Sequence, residues 1–247
     1  HLSGYDRQNL PIHRGFDEYR GSDNADDKSR APDMEFYGDK VVEVPEEFRS
    51  DYNDDIKTRN AIDFIKRNSD QPFFLILSLN APHKPFEIPS QGIYENQTWN
   101  EMSRNYADMI SRMDQNVGMV METLKEEGLD KNTLVIFGSD NGGEYRPYKG
   151  SKSDWKGDEE AYPVYPPQDW AEWTQLFRSN YPLKGGKADM YEGGIRVPLI
   201  MRWPGQIEKG SVNTDPWHFM DLMPTVAALG EVEPPANTDG INMLPII

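Results

Sequence analysis

Leu134-Val135-Ile136-Phe137-Gly138-Ser139-Asp140-Asn141-Gly142-Gly143 is the stretch that decides how this chain folds. Its apolar run fits a strand buried on both faces, and the glycines after it turn the backbone outward. Asp140 and Asn141 are thereby carried to the strand's end. A carboxylate and an amide side by side offer two hard oxygens, which suit Ca2+ or Mg2+. The same Asp-Asn-Gly string is equally a turn signature, because Asn and Gly favour turn backbone.

Two flanking segments share this design. Downstream, Gly185-Gly186-Lys187 sets a cation on backbone thin enough to approach a ligand. It is no phosphate-binding P-loop: Tyr181 stands where that motif has its first glycine, and Ala188 where it has Ser or Thr. Upstream, Ala81-Pro82-His83 follows Phe73-Phe74-Leu75-Ile76-Leu77-Ser78-Leu79, another run apolar on both faces. A lysine beside glycines is commonly a surface residue, and a histidine between prolines commonly bonds to backbone. Taken together, with each group placed after a strand or a glycine turn, the three signals point to chemistry on an anion. His13 and His218 lack carboxylate or metal spacing and read as structural.

Helical periods separate these runs. Asp54–Asn68 reads as a helix with Ile56, Ile62 and Ile65 towards one face and Lys66-Arg67 in its last turn. Trp99–Glu127 is a longer one, striped by Met102, Tyr106, Met109, Met113, Val117, Val120 and Leu124 and ended by Gly128. The methionines on that stripe read as core packing. Val197–Trp203 reads as a strand, and Asp221–Leu229 as a helix with Pro224 in its first turn. Alternation of this kind predicts an α/β fold, a mostly parallel mixed sheet sandwiched by helices. Residues 144–181 form a loop-rich insertion between two site motifs, the usual place for a substrate-facing loop. Its Trp155, Tyr162, Tyr165, Trp170 and Trp173 suit either stacking on sugar rings or packing against the core.

Composition narrows the function. The 247 residues carry a net charge of −16, which argues against nucleic acid and anionic membranes as partners. An anionic substrate stays possible, because remote carboxylates are screened over about 8–10 Å at physiological salt. There is no cysteine, which removes disulfides, thiolate zinc sites and cysteine nucleophiles from this chain. No apolar run approaches the roughly 18 residues of a membrane span. A polar start at His1, without an initiating Met or signal peptide, leads us to expect a processed or truncated chain.

The ordered motifs resemble the type I sulfatases of the alkaline-phosphatase-like superfamily. His1-Leu2 is similar to the end of the family's Gly-Lys-Trp-His-Leu-Gly motif, and Arg14-Gly15-Phe16-Asp17-Glu18-Tyr19-Arg20-Gly21 to its Arg-Gly-Phe-Asp segment. Pro72 to Leu75 with Ala81-Pro82-His83-Lys84-Pro85 resembles its strand and His-x-Pro loop, and Ser139-Asp140-Asn141-Gly142 its metal motif. The most specific stretch is Pro182 to Lys187 with Tyr191-Glu192-Gly193-Gly194-Ile195-Arg196-Val197-Pro198; Asp221 to Thr225 and Asp239-Gly240 close the series.

The resemblance implies that Asp140 and Asn141 help hold Ca2+ (or Mg2+), and that Lys187 binds sulfate oxygens. It implies too that His83 contacts the sulfate or protonates the leaving alcohol, and that His1 touches nucleophile or sulfate. The family's nucleophile is a formylglycine made from a Cys/Ser-x-Pro-x-Arg motif, and neither that motif nor the family's early paired aspartates occur here. Residues 1–247 are therefore expected to be the central and later part of one sulfatase catalytic domain, inactive alone. The expected substrate is a sulfated carbohydrate or aryl sulfate, and the expected location periplasmic or secreted (lysosomal or extracellular in a eukaryote). Two rival readings are a phosphoesterase or phosphonate hydrolase on the same scaffold and a non-catalytic module that binds anionic glycans.

Overall fold

The computed structural model describes residues 7–21, 34–38, 40–43, 45–48, 52–89, 92–145 and 166–247. The chain divides into two units: the first runs to Leu129 and resumes over Ser139–Val197, and the second joins Asp130–Gly138 to Pro198–Ile247.

In the first unit, β1 (Arg20–Gly21), β2 (Met34–Tyr37) and β3 (Lys40–Glu43) pair antiparallel in that order, with Phe36 opposite Val41. α1 (Asn53–Arg67) matches the helix expected over Asp54–Asn68. Asp54 and Asp55 in its first turn and Lys66 and Arg67 in its last complement the helix dipole, and Ile56, Ala61 and Ile65 are buried. Arg67 grips both oxygens of Glu18 at 3.0 Å, and this bond holds the Glu18 carboxyl below its usual range.

The long helix is α2 (Glu101–Glu126). It starts just after the expected Trp99 because Asn100 caps it, its side-chain oxygen accepting the Ser103 N–H at 2.8 Å. Arg112 ties α2 to α1 through the Asp55 carboxylate, with its guanidinium 5.5 Å from the centre of the Tyr52 ring. Met102 and Met109 are buried, as the methionine stripe predicted. Burial also holds the Tyr106 phenol above its usual pKa.

The insertion is not loop throughout. α3 (Pro167–Phe177) lies within it, opening with proline at its first position, where a missing N–H costs nothing. Trp170 and Trp173 on α3 are only 6% and 2% exposed. They pack with Phe86, Tyr106 and Met102, and the Trp173 and Tyr106 rings meet edge to face at 5.2 Å. These two tryptophans are core, not a platform for sugar rings. Trp155, Tyr162 and Tyr165 lie outside the described residues. The helix was legible after all: Trp170, Trp173 and Phe177 step by three and four. Trp173→Ala is expected to cost about 3–5 kcal/mol by emptying this cluster, read as a lower urea midpoint of unfolding.

A second difference concerns Phe73–Leu79. This segment forms no strand and pairs with none among the described residues. Phe73 packs on Phe64 of α1, while Phe74 and Ile76 on the other face stay 52% and 47% exposed. The fold is α/β, yet the ladders formed by the described residues are antiparallel. A strand expresses its direction only through a partner's backbone groups, and this apolar run pairs with no strand among the described residues. The first unit closes with α4 (Glu192–Ile195).

In the second unit, β4 (Val135–Gly138) and β5 (Leu199–Arg202) pair with Val135 opposite Arg202, and Arg202 bonds to Asp130 at 2.7 Å. α5 (Leu222–Leu229) is preceded by Asp221, whose carboxylate takes the backbone N–H groups of His218 at 2.8 Å and Ile241 at 2.9 Å. His218 caps the short turn before α5, the structural role expected of it. No helix among the described residues is long and apolar enough to cross a membrane.

Candidate functional site

The site is assembled from three loops of the first unit. The first is a turn closed by the His83 N–H donating to the Asn80 carbonyl at 2.9 Å. Beneath it sits Asp54 of α1, whose two oxygens accept the Asn80 and Ala81 N–H groups, both at 2.8 Å. Asp54 is 1% exposed, and a carboxylate so buried must be paired to remain charged. Lys57, one turn along α1, supplies the pairing at 3.4 Å and also donates to the Asn80 side chain.

The other two loops lie backbone against backbone. The Lys187 N–H donates to the Gly143 carbonyl at 3.0 Å, and the Gly142 N–H to the Gly194 carbonyl at 3.0 Å. Asn180 clamps Gly143 from both sides, accepting its N–H at 2.9 Å and donating to its carbonyl at 2.8 Å. The Asp189 carboxylate receives the Gly186 N–H at 3.1 Å and the Tyr145 hydroxyl at 2.6 Å. A methyl group on Gly142 would stand 1.8 Å from the Gly193 carbonyl oxygen, and one on Gly186 2.4 Å from that of Gly143. The glycines thus serve close approach between chain segments, beyond any approach to a ligand. Asn180, Asp189 and Tyr145 were not singled out from sequence, because nothing local distinguishes them; only the fold brings them to these turns.

The arrangement delivers Lys187 to His83, with Nζ 2.9 Å from Nε2. The other imidazole nitrogen, Nδ1, lies 2.7 Å from the Lys84 carbonyl. A carbonyl can only accept, so Nδ1 carries the proton and Nε2 accepts from the Lys187 ammonium. One positive charge and one shared proton therefore occupy the same spot, a combination suited to an anion with a departing oxygen.

Asp140 and Asn141 immediately precede the glycines that hold Lys187. The Asn141 side-chain amide donates to the Gly142 carbonyl at 2.9 Å, which orients the group by its nitrogen. Among the described residues no group of three or more His, Asp or Glu side chains gathers into a metal cluster. Asp140 and Asn141 fit a hard cation in kind, and as two oxygens they would supply only part of a shell that needs about six to eight. His1 lies outside the described residues.

The family model named Sulfatase matches residues 1–232. The chain belongs to the sulfatase family. This sulfatase chain is 30% identical over 264 residues to N-acetylgalactosamine-6-sulfatase of Homo sapiens, covering 99% of the chain and 44% of that protein. It is 34% identical over 191 residues to steryl-sulfatase of Rattus norvegicus, covering 75% of the chain and 28% of the relative. Among solved structures, Ps i-CgsB in complex with k-i-k-neocarrahexaose superposes with a TM-score of 0.73 at 29% identity, over 96% of the sulfatase chain and 51% of the other. The PsFucS1 sulfatase from Pseudoalteromonas sp. shares the fold, with a TM-score of 0.60 at 24% identity over 87% of the chain and 39% of its own. The sulfatase chain spans about 44% of the length of the first curated relatives it matches.

Proposed function

We propose that the full-length protein hydrolyses sulfate esters of a sulfated carbohydrate, and that residues 1–247 form the central and later part of its catalytic domain. The observation that carries this reading is the 2.9 Å contact of Lys187 with His83, made on the same glycine turns that present Asp140 and Asn141. Lys187 binds the sulfate oxygens, placing a compact positive charge where negative charge gathers in the transition state. His83 Nε2, the nitrogen not committed to backbone, relays to the leaving alcohol oxygen the proton it accepts from the Lys187 ammonium, and Lys187 regains a proton from solvent after the alcohol departs. Asp140 and Asn141 contribute two oxygens to Ca2+ or Mg2+; when bound, such a cation supplies charge that favours an anionic ester beside its nucleophile. The nucleophile in this reading is a formylglycine that residues 1–247 do not encode, with His1 beside it.

The sugar class is supported by the names of similar proteins, an N-acetylgalactosamine-6-sulfatase and Ps i-CgsB in complex with k-i-k-neocarrahexaose. Action in the periplasm or outside the cell goes with such substrates. The test is sulfate release by the full-length protein from a panel of sulfated oligosaccharides and 4-nitrophenyl sulfate, with matched phosphate monoesters as competitors. Release from sulfates in preference to phosphates is expected, and no release from any sulfate ends the reading. Purified residues 1–247 are expected to release none.

Metal dependence follows from the two oxygens. Asp140→Ala in the full-length protein is expected to lower kcat/KM by about 10–100-fold and to raise the Ca2+ concentration giving half-maximal rate. Activity unchanged after exhaustive chelation would remove the metal from the scheme.

A further inference from the structure

We infer that Asp54, on a helix that supplies none of the reacting groups, is a positioning residue for His83. Its placement is unusual for an acidic residue in the first turn of a helix. Such residues ordinarily cap the helix's own N–H groups, which otherwise lack partners. Tyr52, the N-cap of α1, makes no side-chain cap bond. Both Asp54 oxygens go instead to the N–H groups of Asn80 and Ala81, at 2.8 Å each.

Two bonds to successive amides fix a peptide segment in orientation as well as place, which a single bond cannot do. The fixed segment is the start of the turn whose closing N–H belongs to His83. Lys57 completes the grip by donating to both the Asp54 carboxylate and the Asn80 side chain, so the buried charge is neutralised and the turn held on a second side. From the grip to the imidazole there is only Pro82. Asp54 touches neither His83 nor Lys187; it acts through the backbone that aims Nε2 at Lys187.

This inference rests on the functional reading above, so its test separates the two. In the full-length protein, Asp54→Asn and Asp54→Glu are compared with His83→Ala on a sulfated sugar and on 4-nitrophenyl sulfate. The sugar alcohol leaves poorly and needs a proton, whereas nitrophenolate leaves without one. Misplacing a catalytic group by about 1 Å costs on the order of 100-fold. Asp54→Asn should therefore lower kcat on the sugar sulfate by about 30–100-fold, with the aryl sulfate within about threefold and KM little changed. Asp54→Glu keeps the charge and the Lys57 pairing but moves the carboxylate, and should show the same selectivity at smaller size. If Asp54→Asn does not fold, Asp54→Glu decides. Equal losses on both substrates, or no loss on either, beside a selective His83→Ala would overturn the role of Asp54 alone. An unselective His83→Ala would bring down both the functional reading and this inference.

Discussion

Lys187→Ala in the full-length protein is expected to lower kcat/KM for sulfate esters by about 10²–10³-fold, the usual cost of removing one preorganised donor from a developing charge. The loss has two parts. In the proposed reaction the sulfate oxygens would lose their cation, and His83 Nε2 loses the N–H it accepts at 2.9 Å. Lys187→Arg is not expected to rescue. A guanidinium is broader than an ammonium, and this one would have to fit over a turn where a methyl group on Gly186 already meets backbone at 2.4 Å. Steady-state kinetics on the panel above checks both variants. A Lys187→Ala enzyme within threefold of the parent would mean that the amine near His83 has no part in the reaction.

The second large effect is on the fold. Gly142→Ala and Gly186→Ala each force a methyl group to within 1.8 Å and 2.4 Å of a carbonyl oxygen, so backbone must move. Overpacking of flexible side chains costs about 1–3 kcal/mol, and displacement of hydrogen-bonded backbone is expected to exceed that range. Gly118→Ala is the control. It lies in α2 with nothing within 4 Å of its added carbon, so it should stabilise by about 0.5–1 kcal/mol through helix propensity. Urea denaturation of the three variants gives the comparison. Equal stability for all three would show that the loops give way freely, and the account of why these glycines stand where they do would fail.

These expectations come from different levels of information. The two expected helices before the first glycine turn, α1 and α2, were readable because their apolar residues repeat every three or four positions, a property internal to each segment. α3 carried the same repeat in Trp170, Trp173 and Phe177, but the surrounding prolines and charges masked it. Phe73–Leu79 shows the converse: an apolar run is read as a buried strand, yet burial and ladder direction depend on which segments lie beside it.

The site divides along the same line. Asp140, Asn141, His83 and Lys187 could be named from sequence, since metal-type oxygens, imidazole and amine next to glycine or proline turns are local patterns, and the family resemblance orders them. Sequence alone gave the α/β class, the lack of cysteine in these 247 residues and the chemical type of the candidate groups. Tertiary structure alone decided that Nε2 of His83 faces Lys187, that Asn180 and Asp189 tie the glycine turns, and that Asp54 spends its carboxylate on a turn remote in sequence. The physical reason is range. Propensity and periodicity act within one or two turns of the chain, whereas a hydrogen bond between residues 54 and 81 or 83 and 187 exists only once folding has brought their backbones together.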